Sequence, residues 1–331
     1  MLEGSRTLSE RQSSPDAAPV RVAVVGCGYF GNLHAQKYAA LESADLVAVL
    51  DTNSSRAEKT AAEHNTKAVT DLDELLVQVD AVSIVSPTTT HHSIAKRCLE
   101  AGRDVLVEKP ICETLEEADD LIAAAKESGR ILQVGHLERF SPLIKDVNTL
   151  VERPAYIESH RISQYRGRGT DTTVILDMMV HDIDNIMMLV GCPIERIDAV
   201  GVPVISEAED IANARIQFRN GCVATVTASR VSWKIQRTMR VFQHNAYVVA
   251  DMVKNKLIVM NRTKSCNGTP TVGAEQRQYD QADLIMMECA DFVDCVRTRR
   301  KPVVSGESVR DVMAAALSIT EQLRKWRREL D

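Results

Sequence analysis

The stretch VRVAVVGCGYFG, Val20 to Gly31, is a short, largely β-branched apolar run followed at once by three glycines. An uninterrupted apolar run of this length predicts a strand buried on both faces of a parallel sheet. Gly26, Gly28 and Gly31 then form a GxGxxG pattern that closes the strand and opens a helix expected to run to Leu41. The first glycine permits the tight turn and the second lets the backbone approach a pyrophosphate. The third lets the helix lie close to the strand. Phosphates would sit on the helix N-terminus, where free N–H groups and the dipole favour negative charge. The loop, with Tyr29 and Phe30 inside it, is therefore a candidate dinucleotide site; the alternative is a tight turn with no ligand. Asp51 ends the next strand, DLVAVLD, twenty residues beyond Gly31. That spacing suits a carboxylate accepting hydrogen bonds from an adenosine ribose and repelling a 2′-phosphate, so NAD is favoured over NADP. Arg56 nearby keeps NADP open.

Outward from this loop the pattern repeats. Helices are expected at Arg56–His64, Asp71–Val77, His91–Ala101 and Leu115–Ser128, with strands near Lys67–Val69 and in AVSIV, DVLVEKP and ILQVG. Strands alternating with helices over some 120 residues mean a doubly wound parallel sheet. Past Pro154 the texture changes to consecutive strand-like runs (IDAVGVPVI, ANARIQF, CVATVTASR, TMRVFQ, AYVVAD, KLIVM) with short turns, which implies an antiparallel sheet. Asn261 to Gly273 is expected to be a loop, and helices at Gln281–Arg297 and Glu307–Glu329 end the chain. The division is thus a tail over 1–19, a dinucleotide-binding domain over 20–150 and a substrate domain over 151–331, with the last helix able to pack back on the first domain.

A chain of 331 residues, 44% of them hydrophobic, can bury a core in two domains. The net charge of -6 argues against a nucleic-acid or anionic-membrane partner. Eight scattered cysteines without a CxxC pair or zinc-finger spacing suggest reduced, buried thiols in a cytosolic protein and no metal. There is no long apolar segment, and the polar N-terminus has no signal-peptide core and reads as a disordered tail.

Two tripeptides, Ser86-Pro87-Thr88 and Glu108-Lys109-Pro110, follow buried strands. In an open parallel sheet such positions face the ligand crevice, so both are expected at the cofactor, with His91 beside them. For Lys109 the competing assignment is a solvated loop lysine; for His91 it is an ordinary helix start. The second concentration of chemistry is VILDMMVHDIDNIMMLVG. If Val174 to Val190 is one helix, Asp177, His181 and Asp184 share a stripe on an otherwise apolar rod. Burying acid beside imidazole is costly unless the groups are hydrogen-bonded or used. A structural Asp–His pair is the alternative to an active site.

GCGYFG, SPTTTHHSIA, VEKP, VGHLERF and DxxxHDID, in this order and spacing, resemble the Gfo/Idh/MocA oxidoreductases over nearly the whole chain from Val20. The resemblance implies a Rossmann domain plus an open-faced, mostly antiparallel sheet domain, a nicotinamide cofactor, and homodimers or homotetramers packed through that sheet. It puts the catalytic lysine on Lys109 and the acid–histidine pair on Asp177 and His181. A glycine-rich run found before the acid in many members is here Thr172-Thr173-Val174-Ile175, and Met179 replaces a common glycine. Within the family, VGHLERFSP followed by LDMMVHDID is most similar to the branch acting on UDP-N-acetylhexosamines, which includes UDP-N-acetylglucosamine 3-dehydrogenases.

A nucleotide-diphosphate sugar needs positive charge for its pyrophosphate. HRISQYRGRGT offers Arg161, Arg166 and Arg168, and arginine suits bidentate phosphate contacts. A solvated basic loop is the competing assignment. His136 and Arg139 are candidates for the same cleft, with helix capping the alternative. In oxidation of a secondary alcohol, His181 is expected to take the hydroxyl proton and Asp177 to orient the ring or the substrate. Lys109 is expected to stabilise alkoxide character. The roles of Lys109 and His181 are interchangeable at this level. Other substrates considered are a free sugar, a cyclitol or a UDP-hexuronate, and outside catalysis an NAD-binding sensor or scaffold.

Overall fold

The computed structural model describes residues 18–165, 173–264 and 270–330. The first half alternates strand and helix: β1 (Val20–Val25), α1 (Tyr29–Ala40), β2 (Ala44–Leu50), α2 (Ser54–Glu63), β3 (Lys67–Val69) and α3 (Leu72–Leu76). It continues with β4 (Ala81–Ile84), α4 (His91–Glu100), β5 (Asp104–Glu108), α5 (Leu115–Ser128), β6 (Leu132–Gly135) and α6 (Pro142–Leu150). Every residue of β1 except Arg21 is buried, as a central parallel strand requires. Local chemistry sets the helix ends. Thr114 and Glu117 form a reciprocal capping box at the start of α5, and Gly129 ends it with φ 64°.

The six strands form one parallel sheet in the order β3-β2-β1-β4-β5-β6. The order reverses between β1 and β4, so a crevice opens at their carboxyl ends. The glycine loop, Ser86 and Lys109 all lie at that end.

The second half comprises β7 (Pro154–Ile162), α7 (Val180–Val190), β8 (Ile194–Val202), β9 (Ile211–Phe218), β10 (Val223–Ser229) and β11 (Gln236–Gln243). It ends with β12 (Ala246–Asp251), β13 (Lys256–Lys264), β14 (Pro270–Gln278), α8 (Leu284–Thr298) and α9 (Gly306–Leu330). Its eight strands run β14-β13-β12-β11-β7-β10-β9-β8, antiparallel except where β7 meets β10. Ile157, Ala224 and Val241 stand abreast on the inner face and pack with α6, α7 and α9.

Three features differ from the sequence expectations. Of the loop expected over Asn261–Gly273, residues 261–264 and 270–273 are instead strand, β13 and β14 pairing through Lys264 and Pro270, and 265–269 lie outside the described residues. The described side chains there are exposed and, Val272 apart, polar, Thr263 and Thr271 bonding at 2.7 Å between hydroxyls, so no apolar alternation marked the strands. His160, Arg161 and Ile162 end β7, in the middle of the sheet, rather than belonging to a basic loop. Finally, α8 packs on the first sheet, where Cys289, Phe292 and Val293 join the valines of β1. Helix α9 serves both cores, Val309 and Met313 facing the first, Val312 and Ile319 the second.

Candidate active site

The glycine loop fits a dinucleotide. Gly26 has φ +97°, and a Cβ there would lie 2.6 Å from the Val85 carbonyl oxygen. A Cβ on Gly31 would lie 1.7 Å from the Gly26 carbonyl oxygen, so only glycine lets α1 start this close to β1. A Cβ on Gly28 meets nothing within 4 Å, which is the open side a pyrophosphate needs. No side chain caps α1, so its first N–H groups are free for phosphate oxygens. Tyr29 and Phe30 are exposed at this mouth. The Asp51 carboxylate accepts the Cys27 and Asn53 N–H groups, each at 2.8 Å, leaving lone pairs for ribose hydroxyls. Arg56 stands 3.6 Å away.

The loops after β4 and β5 are tied together by His91, which is buried. Its Nδ1 faces the Pro110 carbonyl at 2.9 Å and its Nε2 the Ser86 carbonyl at 2.8 Å. Both ring nitrogens are thereby engaged, so His91 shapes the cofactor crevice, whereas Ser86, Pro87 and Thr88 are partly exposed to it. The Lys109–Pro110 bond is cis. Glu108 is drawn back onto the strand ends, its Oε2 accepting the Lys109 backbone N–H at 3.1 Å.

Lys109 then crosses to the second domain, where its ammonium donates to the Asp177 carbonyl at 3.1 Å and lies 3.9 Å from the Asp177 carboxylate. The helix there is not uniform. Ile175–Met179 is a π-helical turn that leads into α7, and the wider turn breaks the even stripe expected from α-helical spacing. Asp177 consequently faces Lys109 and is 43% exposed along its side chain. His181 lies one turn on, partly buried. Burial, then the charges of Lys109, Arg161, His136 and Arg237, holds His181 well below the usual 6.5, so the ring is a neutral proton acceptor at neutral pH. Burial also lowers the ammonium of Lys109, with Arg161 adding to it, against the opposing pull of Asp177, Glu108 and Glu138.

Asp184, His136, Arg139 and Arg161 are drawn into ion pairs at the junction of the two domains. Asp184, the third member of the expected stripe, is buried and accepts from Arg139 Nε at 3.0 Å to each carboxylate oxygen. His136 Nδ1 sits 3.1 Å from the same carboxylate, within ion-pair range but off the line of a good hydrogen bond. Arg139 also donates to the Ser308 hydroxyl at 2.9 Å, which joins the first domain to α7 and α9. Arg161 is 3% exposed and is held by Asp182 at 2.6 Å and Glu138 at 2.8 Å. Burial opposes its charge, but the two carboxylates outweigh it and keep the guanidinium protonated. Arg139 through Nε and Nη2, and Arg161 through Nε and Nη2, are thus committed to carboxylates. Arg166 and Arg168 lie outside the described residues. Asp182 and Glu138, which make these ties, were not singled out in the sequence; Asp182 was visible in HDID, but its orientation depends on β7.

Residues 20–136 match the family described as oxidoreductase family, NAD-binding Rossmann fold, and residues 146–249 match the GFO/IDH/MocA C-terminal domain. The chain belongs to the Gfo/Idh/MocA family of oxidoreductases. It is 37% identical over 302 residues to the UDP-N-acetylglucosamine 3-dehydrogenase of Acidithiobacillus ferrooxidans, an alignment covering 91% of this chain and 96% of the relative. A solved structure of UDP-N-acetylglucosamine 3-dehydrogenase from that organism matches with a TM-score of 0.86 at 35% identity, over 93% of this chain and 98% of the other. The scyllo-inositol dehydrogenase of Lactobacillus casei, solved with NAD(H) and scyllo-inositol, shares the fold: TM-score 0.79 at 21% identity, over 93% and 97% of the two chains.

Proposed function

We propose that this protein oxidises UDP-N-acetylglucosamine to its 3-keto form with NAD as acceptor. The observation that carries the reading is the reach of Lys109 from the nucleotide domain onto the helix of His181, in a chain 37% identical to an enzyme of that activity. When bound, the nicotinamide accepts hydride from the carbinol carbon. His181 takes the hydroxyl proton, since burial and neighbouring cations keep its ring neutral. Lys109 donates to the same oxygen and stabilises alkoxide character as the proton leaves. Asp177 fixes Lys109 through its carbonyl and offers its part-exposed carboxylate to the sugar.

Asp51 supports NAD over NADP, because its carboxylate repels a 2′-phosphate. Arg166 and Arg168 are the proposed pyrophosphate ligands, Arg139 and Arg161 being engaged by carboxylates. The face of the large sheet away from the helices carries the aromatic ladder Tyr156, Phe242 and Tyr247, with ring centroids 5.7 and 4.6 Å apart. That supports association of two or four copies through this face. A cytoplasmic location accords with the free cysteines; among the described residues no helix is long and apolar enough to cross a membrane.

The test is NADH formation, followed by fluorescence, across UDP-sugars and free sugars. UDP-N-acetylglucosamine should be the preferred substrate, and Lys109→Ala and His181→Ala should each retain NAD binding while losing most turnover. Preference for a free sugar, a cyclitol or a UDP-hexuronate would overturn the substrate; near-normal rates in both variants would overturn the catalytic assignment.

A further inference from the structure

Behind Lys109, inside the first domain, lies a polar cluster that the reaction as proposed leaves unused. Glu288 of α8 is fully buried, and neither of its carboxylate oxygens has a hydrogen-bond partner among the described residues. One of its carboxylate oxygens, one of Glu108 and a ring nitrogen of His34 lie within 4.8 Å of one another. The groups facing Glu288 are Glu108 from β5, His34 and Tyr38 from α1, Gln133 from β6, and Cys289 and Asp291 of its own helix. None of these is a lysine or arginine.

Two carboxylates this close in a dry interior do not both ionise. The partners decide which one holds the proton. Glu108 accepts from the Lys109 N–H at 3.1 Å and contacts His34 Nε2 at 3.2 Å, while Glu288 has neither. We propose that Glu288 stands as the neutral acid behind Glu108, so that a single negative charge lies beneath the catalytic lysine. Burial, with Glu108 and Asp291 adding to it, pushes the Glu288 carboxyl well above its ordinary value. Burial also works on Glu108, but the His34 contact and Lys109 outweigh it and hold that carboxyl low.

The consequence falls on Lys109. Glu108 pins its backbone and raises the affinity of its ammonium for the proton, with Asp177 and Glu138 acting the same way and Arg161 opposing. A second charge on Glu288 would displace Glu108 from this seat and hold Lys109 protonated more tightly.

The inference rests on the catalytic role given to Lys109, and the test separates the two. Glu288→Gln keeps shape and neutrality, so its kcat should stay within about twofold of wild type with the pH profile of kcat unmoved. Glu288→Met is uncharged as well, so it should likewise keep NAD affinity, KM and kcat within about twofold, whereas a Glu288 that were ionised in the wild type would shift the profile in both variants. Infrared difference spectra of the NAD-free protein, wild type minus Glu288→Gln, should carry the carbonyl stretch of a buried carboxylic acid. That readout needs no substrate, so it stands even if UDP-N-acetylglucosamine is not turned over or Glu288→Met does not fold. A pH profile of kcat displaced in Glu288→Gln or in Glu288→Met, or an absent carbonyl band, overturns the proposal. So does a stoichiometric metal ion in the purified protein that is lost in Glu288→Gln.

Discussion

Replacing Asp184 with asparagine tests the junction between the two domains. Asp184 has a buried carboxylate, and both its oxygens accept from Arg139, with His136 at 3.1 Å. Burial alone would raise its pKa, but His136 and Arg139 outweigh that and bring it down to about 2. Because its folded pKa is depressed below an unfolded value of about 3.9, the contribution is fully present above pH ~4 and is lost as pH falls through ~2. At roughly 1.4 kcal/mol per pH unit between the two values, it amounts to about 2.5 kcal/mol. The asparagine keeps the shape but removes the charge and turns an amide donor on Arg139, which is then buried without its anion. Breaking a buried pair in this way costs about 3–5 kcal/mol. Urea unfolding of wild type and Asp184→Asn at pH 7 should differ by that amount, and the wild-type loss of stability between about pH 4 and pH 2 should be shallower in the variant. A difference below about 1 kcal/mol at pH 7, or an unchanged acid slope, would refute the reasoning.

Gly31→Ala should weaken NAD binding at least about tenfold, since its Cβ would fall 1.7 Å from the Gly26 carbonyl oxygen and force α1 off the loop; calorimetric titration with NAD measures it. Asp51→Ser should move the NAD over NADP ratio of kcat/KM toward NADP by on the order of 100-fold, by removing a repelling carboxylate beside Arg56; an unmoved ratio would discount Asp51. The acid limb of kcat/KM should fall below pH 6.5, because burial and Lys109 favour the neutral ring of His181. A midpoint above 6.5 would exclude His181 as the base.

The nucleotide half of the molecule was legible in the chain. Its central strands are buried on both faces and so read as continuous apolar runs, and the glycine loop follows from steric needs within about a dozen residues. The second half was less legible, and for a consistent reason. Strand β7 places Ser159 and Arg161 on its inner face, where Asp182 receives both at 2.6 Å, so an apolar alternation that would have announced a strand is absent. Only the first half of β13, KLIVM, carries an apolar signal; the outer end of the β13–β14 hairpin is exposed and mostly polar. The π turn at Ile175–Met179 is invisible to periodicity, since side-chain spacing in the sequence is the same whether the ladder closes at four residues or five.

From its sequence alone this chain determines a dinucleotide-binding sheet, a lysine at a strand end and an acid–histidine helix, because each depends on neighbours within a few residues. Which partner each charge meets is decided only in three dimensions. Arg161 reads as a pyrophosphate ligand and Arg139 as a residue lining the same cleft, yet in the fold they pair with carboxylates more than twenty residues away, at Asp182 and Asp184. Glu288 and Glu108 meet only because α8 returns to the first sheet. A charge in a folded protein takes its role from the opposite charge or the burial it meets, and both are set by chain segments remote in sequence.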